Sequence, residues 1–398
     1  METQVLVISH SPFDYSYGAS TSLREHYKAM SLLNKYNFIH VSKAWPREAI
    51  FMAFKEHHPK RLYIPANVTR IFNACLPWSD NFDTSIQYDV TDIKKSIVKW
   101  VLNTNWELKY KKVINTLFTF NPRIIHLNSL VLTGTVRHLR VKNQKIPIIS
   151  HVREMLNCEI TKEDKQAILQ LDAVLPIDYA VEQRFIEVIP EYPRERIHLI
   201  QNPFCSFALD ASLQKLFSDS NHVFAVAGVI SPDKGVDFIC ECFCEAKLKN
   251  SILIIFGSTD SEYASSIRTK WMNTTKTIVW AGEQEFLFEK GAYSRIDVVV
   301  RGDISFRTGR TVYEGLFAGT RVILQGDDTD LIGDKLLFRW RDSITMYKPR
   351  DKKALICAFQ FAHVNLELSK LLYTERGHGS NYLDYCNSID AIYSQLVQ

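Results

Sequence analysis

Short apolar runs alternate with stretches of helical spacing along this chain, and the alternation occurs in two series. Residues 4–9 (QVLVIS) form a continuous apolar run, the pattern of a strand covered on both faces of a parallel sheet. A polar and aromatic loop over 10–20 follows, containing Tyr17-Gly18-Ala19-Ser20, and then helical spacing over 21–33. Strand, glycine-bearing loop and helix open a doubly wound α/β domain, whose ligands lie at strand carboxyl ends. One glycine there is not a dinucleotide fingerprint, which needs three at set spacing. Further strands are expected at 37–41 (NFIHV), 124–127 (IIHL), 146–150 (IPIIS), 173–176 (AVLP) and 197–200 (IHLI). Residues 44–90 are irregular, aromatic and proline-bearing, and yield no order of elements. Residues 93–120 carry a long helical pattern in which Trp100, Trp106 and Tyr110 alternate with Lys94, Lys99, Lys109, Lys111 and Lys112. Such a stretch is either a surface helix with a solvated face or a helix lying on a membrane surface.

The second series begins at residue 223. Strands are expected at 223–228 (VFAVAG), 252–256, 277–280 and 297–300, with helices over 236–246 and up to about residue 272. Residues 378–398 form an amphipathic terminal helix with Tyr382, Leu383, Ile389, Ile392, Tyr393 and Leu396 on its apolar positions. The expected fold class is α/β, with two Rossmann-like domains facing a central cleft. The first spans 1–205, leaving through Gln201-Asn202-Pro203-Phe204, and the second spans 206–377. The terminal helix is expected to cross back onto the first domain.

Residues 301–328 (RGDISFRTGRTVYEGLFAGTRVILQGDD) read as loop, helix and strand. A basic loop holding Ser305, Arg307, Thr308, Gly309, Arg310 and Thr311 leads into an amphipathic run over 312–317, and Ala318-Gly319-Thr320 stops it. A loop entering a helix leaves backbone N–H groups unpaired and a partial positive charge facing out. Two arginines and two threonines beside that end suit a phosphate-bearing ligand. Glu314, one turn in, suits ligand hydroxyls such as those of a ribose. The same residues are also compatible with a solvated loop capping an ordinary α/β helix. In the first series, His151, Arg153 and Glu154 stand just past a strand end, where α/β proteins place either chemistry or structural contacts.

The 398 residues favour two domains, and a hydrophobic share of 46% with 23% charged residues is an ordinary globular balance. A net charge of +4 is too mild to imply nucleic acid as a partner. Charge is uneven, however. Residues 1–205 hold 26 Lys/Arg against 20 Asp/Glu, a net +6, and residues 206–398 hold 22 against 24, a net −2. A basic first half suggests an anionic partner there, such as a membrane surface or a diphosphate-linked acceptor. Eight cysteines without a short repeated spacing read as reduced, mostly buried thiols, and Cys240, Cys242 and Cys244 splay around one helix instead of converging on a metal. The start lacks a signal-peptide pattern, and no window approaches 18 uninterrupted apolar residues. The expected location is cytoplasmic, peripheral on the inner face of a membrane.

One ordered set of motifs in the second half resembles the donor domain of retaining glycosyltransferases of the GT-B fold, in particular family 4 (glycosyl transferases group 1). The set is Ala227-Gly228, Lys234-Gly235, Ile255-Phe256-Gly257, Gly282, and Glu314 through Ile323. It covers most of 220–360 and extends more weakly to Tyr17-Gly18-Ala19, His126, His151 and Asn202-Pro203. By this resemblance Lys234 contacts the donor diphosphate, Glu314 bonds the ribose, and the backbone around Gly309, Arg310 and Thr311 holds phosphate oxygens. Gly282 and Glu283 frame the base, and Gly18 lies on the donor side. His151 touches the donor sugar or the acceptor, and Tyr17, His126, Arg153 and Glu154 lie on the acceptor side.

Two positions depart from the family. A first glutamate is usual eight positions before the second, where this chain has Phe306, and an arginine is usual where it has Val229. Arg307 and Arg310 are the candidate replacements for the lost charge, and Asp303 for the lost carboxylate. Asp328-Thr329-Asp330 has metal-ligand spacing but lies in a turn-like loop after the late strand, so no metal and no cofactor are expected. The implied activity moves a sugar from a UDP- or GDP-sugar to a glycan or lipid-linked acceptor in polysaccharide or lipopolysaccharide biosynthesis, with retention. The alternatives are a sugar-nucleotide epimerase and a degenerate, non-catalytic sugar-nucleotide-binding subunit.

Overall fold

The structure is a computed structural model that describes residues 2–10, 18–43, 54–56, 68–74, 113–156, 160–217, 222–284, 286–304, 306, 308–366 and 380–397. The chain divides into two compact units, one formed by Met1–Pro203 with Tyr382–Gln398 and the other by Phe204–Asn381.

The first unit is built on a seven-stranded sheet, in the order β3-β4-β2-β1-β5-β6-β7. Its strands are β1 (Thr3–Ser9), β2 (Tyr36–Lys43), β3 (Phe54–Glu56), β4 (Val68–Ala74), β5 (Ile124–Leu127), β6 (Ile148–Val152) and β7 (Ala173–Pro176). All pair in parallel except the edge strand β3, which runs antiparallel to β4. Both faces of the sheet are covered, as the unbroken apolar run of β1 demands. Leu6 and Ile8 join one core cluster, while Val5 and Val7 join another on the opposite face. The flanking helices are α1 (Gly18–Ser31), α2 (Thr133–Lys142), α3 (Lys162–Leu169) and α4 (Tyr179–Val188). α1 starts three residues before the apolar spacing begins. Residues 197–200 do not form a strand. They run beside β7 through a single bridge from Ile197 to Val174 and two backbone bonds, His198 N–H to Val174 and Ile200 N–H to Pro176. Four residues with one neighbour make too few ladder bonds to constitute a strand, although their composition is apolar. Most of the 93–120 pattern lies outside the described residues.

The second unit holds a six-stranded, wholly parallel sheet in the order β10-β9-β8-β11-β12-β13. Its strands are β8 (His222–Ala227), β9 (Ser251–Phe256), β10 (Ile278–Gly282), β11 (Val298–Val300), β12 (Arg321–Gln325) and β13 (Ile344–Tyr347). Its helices are α5 (Val236–Ala246), α6 (Glu262–Thr274), α7 (Gly309–Phe317), α8 (Asp328–Gly333), α9 (Lys335–Phe338) and α10 (Lys352–Val364). Phe224 and Val226 of β8 face one core cluster, and Val223 and Ala225 face the other. Asp328, Thr329 and Asp330 lie in the first turn of α8 and not in a turn-like loop, because Asp327 and Asp330 form the capping box that opens this helix. Cys240 and Cys242 are buried within α5, where desolvation raises both thiols.

The last helix, α11 (Tyr382–Val397), belongs to the first unit. Tyr385, Cys386, Ile389, Ile392 and Tyr393 join the cluster of Leu23, Tyr27 and Met30 from α1. Asp390 accepts hydrogen bonds from Lys35 (2.6 Å) and from the hydroxyl of Tyr36. Apolar spacing thus seats the helix, and the Asp390 contacts fix its register along α1 and β2.

The turn from β8 into α5 is the tightest point of the second unit. Gly235 sits at φ +62°, and a side chain there would place its Cβ 2.1 Å from the carbonyl oxygen of Gly302. Gly235→Ala is therefore expected to destabilise the chain by about 2–4 kcal/mol in denaturant unfolding, since it adds both left-handed strain and a backbone clash. A loss below about 0.5 kcal/mol would show that the two loops are not held against each other.

Candidate functional site

In the second sheet the strand series runs outward from β8 through β9 to β10 and outward from β11 through β12 to β13. The order therefore reverses between β8 and β11. Loops leaving the two strands diverge to opposite faces, and this point of an open α/β sheet is where ligands bind, at the carboxyl edge. The loops after β8 and β11 carry the basic and glycine residues singled out above.

Side chains tie the two loops together. Lys234 Nζ donates to Asp303 Oδ1 at 2.7 Å, and the Ile304 N–H donates to the Asp233 carbonyl at 3.2 Å. Arg301 reaches the other oxygen of Asp303 with Nε at 2.9 Å and Nη2 at 2.8 Å. Its remaining arm, Nη1, donates to Thr311 Oγ1 at 2.9 Å, inside the first turn of α7. The Tyr347 hydroxyl, from β13, donates to the Arg301 carbonyl at 2.7 Å. Asp303 is 4% exposed, so its carboxylate is satisfied by two cations and largely screened from water.

The start of α7 is arranged for an anion. Thr308 makes no side-chain cap, and the first turn contains no acidic residue. Gly309 has φ +68°, and a Cβ there would meet Arg301 Nη1 at 3.3 Å. Glycine at this position lets a guanidinium lie against the helix mouth. The helix-end amides, the positive end of the helix dipole and Arg301 then add with the same sign.

Deeper in α7 the pattern changes. Arg310 Nε donates to Glu314 Oε1 at 2.5 Å, and the guanidinium lies over the rings of Phe204 (4.9 Å) and Phe288 (5.1 Å). Burial pushes the Glu314 carboxyl up, while Arg310 and a hydrogen bond with Tyr293 pull it back. These two charges answer each other under an aromatic cover, so a phosphate on Arg310 or a ribose on Glu314 has to compete with the pair. Phe306 packs against the apolar cluster beneath β12, and Val229 is 74% exposed. Gly282 ends β10 and Glu283 follows it on the same carboxyl edge, with the Gly282 carbonyl accepting from the Gly257 N–H at 3.0 Å and Glu283 exposed. Arg307 and Ser305 lie outside the described residues.

The first unit gathers another set. His126, at 2% exposure, and His151, at 1%, are buried on adjacent strands β5 and β6. Their rings stack at 4.8 Å, and His126 Nε2 lies 2.8 Å from His151 Nδ1. Burial, reinforced by the Arg153 guanidinium, pushes both imidazoles well below their usual range and keeps them uncharged. Arg153 is held by the Asn128 carbonyl (2.7 Å), Asn128 Oδ1 (2.9 Å) and Asn202 Oδ1 (2.6 Å). Glu154 accepts from Ser129 Oγ and from the Leu130 and Arg153 N–H groups, and burial raises its carboxyl. Arg153 and Glu154 thus organise the loop after β5. Gly18 is the exposed first residue of α1, and Tyr17 lies outside the described residues.

Motif reading gave Arg301 no role and offered Asp303 as a sugar-binding carboxylate, whereas Asp303 is held by Lys234 and Arg301. An Arg-Gly-Asp sequence directly after a buried valine strand was the available signal. His26 and Tyr393 were not singled out for chemistry either, since nothing local to them indicates a polar contact.

No family model matches this chain, and no curated protein matches its sequence. Solved structures do match its fold along the full length. A glycosyltransferase from Rickettsia africae aligns with a TM-score of 0.67 at 13% identity, covering 100% of this chain and 99% of that one. The Anabaena protein HepE, in complex with UDP and glucose, aligns at 0.62 and 13% identity, covering 100% and 96%. The lipopolysaccharide outer core galactosyltransferase WaaB aligns at 0.56 and 14% identity, covering 99% and 100%. The fold is that of GT-B glycosyltransferases.

The Arg310–Glu314 pair yields a pH-dependent expectation. Arg310→Leu leaves a buried carboxylate without its cation and should cost about 3–5 kcal/mol at pH 7.5. Because the folded-state pKa of Glu314 is raised, its cost is fully present above that value and fades as pH falls through it toward the unfolded value. Denaturant unfolding should therefore show a smaller penalty at pH 5 than at pH 7.5, and Glu314→Gln added to Arg310→Leu should recover part of it. A penalty independent of pH and of Glu314 would contradict the pairing.

Proposed function

We propose that this chain is a metal-independent GT-B glycosyltransferase that moves a sugar from a UDP- or GDP-sugar to a glycan or lipid-linked acceptor, with retention, in the synthesis of a cell-surface polysaccharide or lipopolysaccharide. The observation that carries this reading is the tie of Lys234 and Arg301 through Asp303 beside the uncapped mouth of α7, at the strand reversal of the second sheet. Support also comes from the neighbours. HepE was solved with UDP and glucose, and WaaB is a lipopolysaccharide galactosyltransferase.

Sugar transfer from such a donor requires a leaving diphosphate to be stabilised as it gains charge. Fixed cations and helix-end amides do this without reorganising during the reaction. Lys234 and the amides of Gly309, Arg310 and Thr311 meet the phosphate oxygens, with Arg301 behind them. The ribose takes Glu314, whose contact with Arg310 yields on binding, and Gly282 and Glu283 border the base. In the first unit His151, Tyr17 and Gly18 serve the sugar-bearing ligands, while His126 holds His151 and Arg153 and Glu154 hold the loop after β5. The basic balance of the first half favours an acceptor attached to an anionic lipid or membrane surface. No helix among the described residues is long and apolar enough to cross a membrane.

A non-catalytic, donor-binding subunit is the second reading, favoured by Phe306 lying in the apolar cluster and Val229 facing solvent where the family carries charges. Calorimetry separates the two: donor binding with no transfer and no donor hydrolysis supports the subunit.

A panel of UDP- and GDP-sugars should raise the melting temperature for at least one base, since a ligand of the folded state stabilises it. Lys234→Ala should lower donor hydrolysis about 100- to 1000-fold, and Glu314→Gln should weaken nucleotide binding. Unchanged turnover in both variants would remove the assignment.

A further inference from the structure

Two buried rows of tyrosine and histidine start from the last helix, one running into the first sheet and one ending on α1. In one, the Tyr393 hydroxyl lies 2.6 Å from His126 Nδ1, and His126 Nε2 lies 2.8 Å from His151 Nδ1. In the other, the Tyr385 hydroxyl lies 2.8 Å from His26 Nδ1. All five side chains are at most 3% exposed. Among the described residues, His151 Nε2 and His26 Nε2 have no hydrogen-bond partner.

Proton counting decides the direction of the first row. A tyrosine hydroxyl has one hydrogen, and among the described residues His126 Nδ1 is the one hydrogen-bond partner of the Tyr393 hydroxyl. If Tyr393 donates, His126 carries its hydrogen on Nε2 and donates to His151 Nδ1. His151 then carries its own hydrogen on Nε2, and one buried group, that N–H, is left over. If the row runs the other way, the Tyr393 O–H has no acceptor and His151 Nε2 is a bare acceptor, so two buried groups are left over. The extra orphaned group, a buried acceptor nitrogen beside the orphaned hydroxyl, disfavours the second arrangement by roughly tenfold or more.

We propose that Tyr393 is a positioning residue: through His126 it fixes His151 as the tautomer with hydrogen on Nε2, so that His151 meets its ligand as a hydrogen-bond donor and not as a base. The group it can take is an acceptor oxygen, such as a sugar hydroxyl or ring oxygen; this ligand class rests on the functional reading above. Supporting the fixed tautomer, burial and the Arg153 guanidinium push all three imidazoles down, His26 to about 3, so none gains a second proton near neutrality. Tyr393 and Tyr385 are pushed up by burial and keep their hydrogens.

The test is a side-chain 15N–1H spectrum of the full chain with 15N-labelled histidine, which distinguishes Nε2–H, Nδ1–H and imidazolium forms. The wild type should show His126 and His151 as Nε2–H tautomers across the neutral range. Tyr393→Phe should release the row, so that an Nδ1–H form of His151 appears, while Tyr385→Phe should leave His151 unchanged. An Nδ1–H or imidazolium His151 in the wild type, or an unchanged His151 in Tyr393→Phe, overturns the proposal. Should Tyr393→Phe fail to fold, the wild-type spectrum alone decides. The panel of UDP- and GDP-sugars is then added with melting as the readout. Absence of stabilisation counts against the functional reading, and the tautomer result stands or falls on the spectra.

Discussion

The second unit depends on one carboxylate. Asp303 is nearly inaccessible, and its two oxygens are divided between Lys234 from the loop after β8 and Arg301 from the loop after β11. Loops at a strand reversal lead to opposite faces of the sheet, so nothing in the topology alone keeps them close. The ion network does, and Gly235 permits the approach by omitting a side chain where the Gly302 carbonyl passes. Because Arg301 also bonds Thr311, the network extends into the first turn of α7. A buried ion pair of this kind is weak evidence for stability, since desolvation offsets much of the attraction. Its consequence is geometric: two cations and a helix mouth occupy fixed positions before any ligand arrives, which electrostatic stabilisation of a leaving diphosphate requires.

The first unit uses polar contacts differently. His26 and His126 are uncharged and buried, and each has a hydroxyl partner from a helix that follows the second unit in sequence. Apolar burial of Ile389 and Ile392 supplies the attraction between that helix and α1, and the tyrosines supply direction. Removing the helix would therefore do more than expose an apolar face. It would leave His26 and His126 without the donors that set their tautomers. Packing of the helix and the hydrogen-bonded row share the same residues here, which links the last turn-and-a-half of the chain to residues on β5 and β6.

Much of this was legible in the sequence. Apolar runs located β1, β5, β8 and β9, because strands covered on both faces leave little room for polar residues. The order of Gly228, Lys234, Gly257, Gly282 and Glu314 located the carboxyl edge of the second sheet. What was not legible has one physical origin, namely contacts between residues distant in the chain. Lys234 and Asp303 are separated by 69 positions, and His126 and Tyr393 by 267, so no local spacing signals either pair. Residues 197–200 show the converse. Their composition suits a strand, but the sheet offers them only one bridge. The pairing of Arg310 with Glu314 is at helical spacing and was accessible, yet the ligand-binding interpretation of each residue obscured it.

The central claim is that a diphosphate is held at the β8–β11 reversal by Lys234 and the mouth of α7. A crystal structure of the chain soaked with UDP tests it most directly. The account predicts phosphate oxygens within hydrogen-bond distance of Lys234 Nζ and of the amides at Gly309 to Thr311, with Asp303 still bonded to Arg301. A nucleotide bound elsewhere, with Lys234 still closed onto Asp303 and facing no ligand, would contradict it.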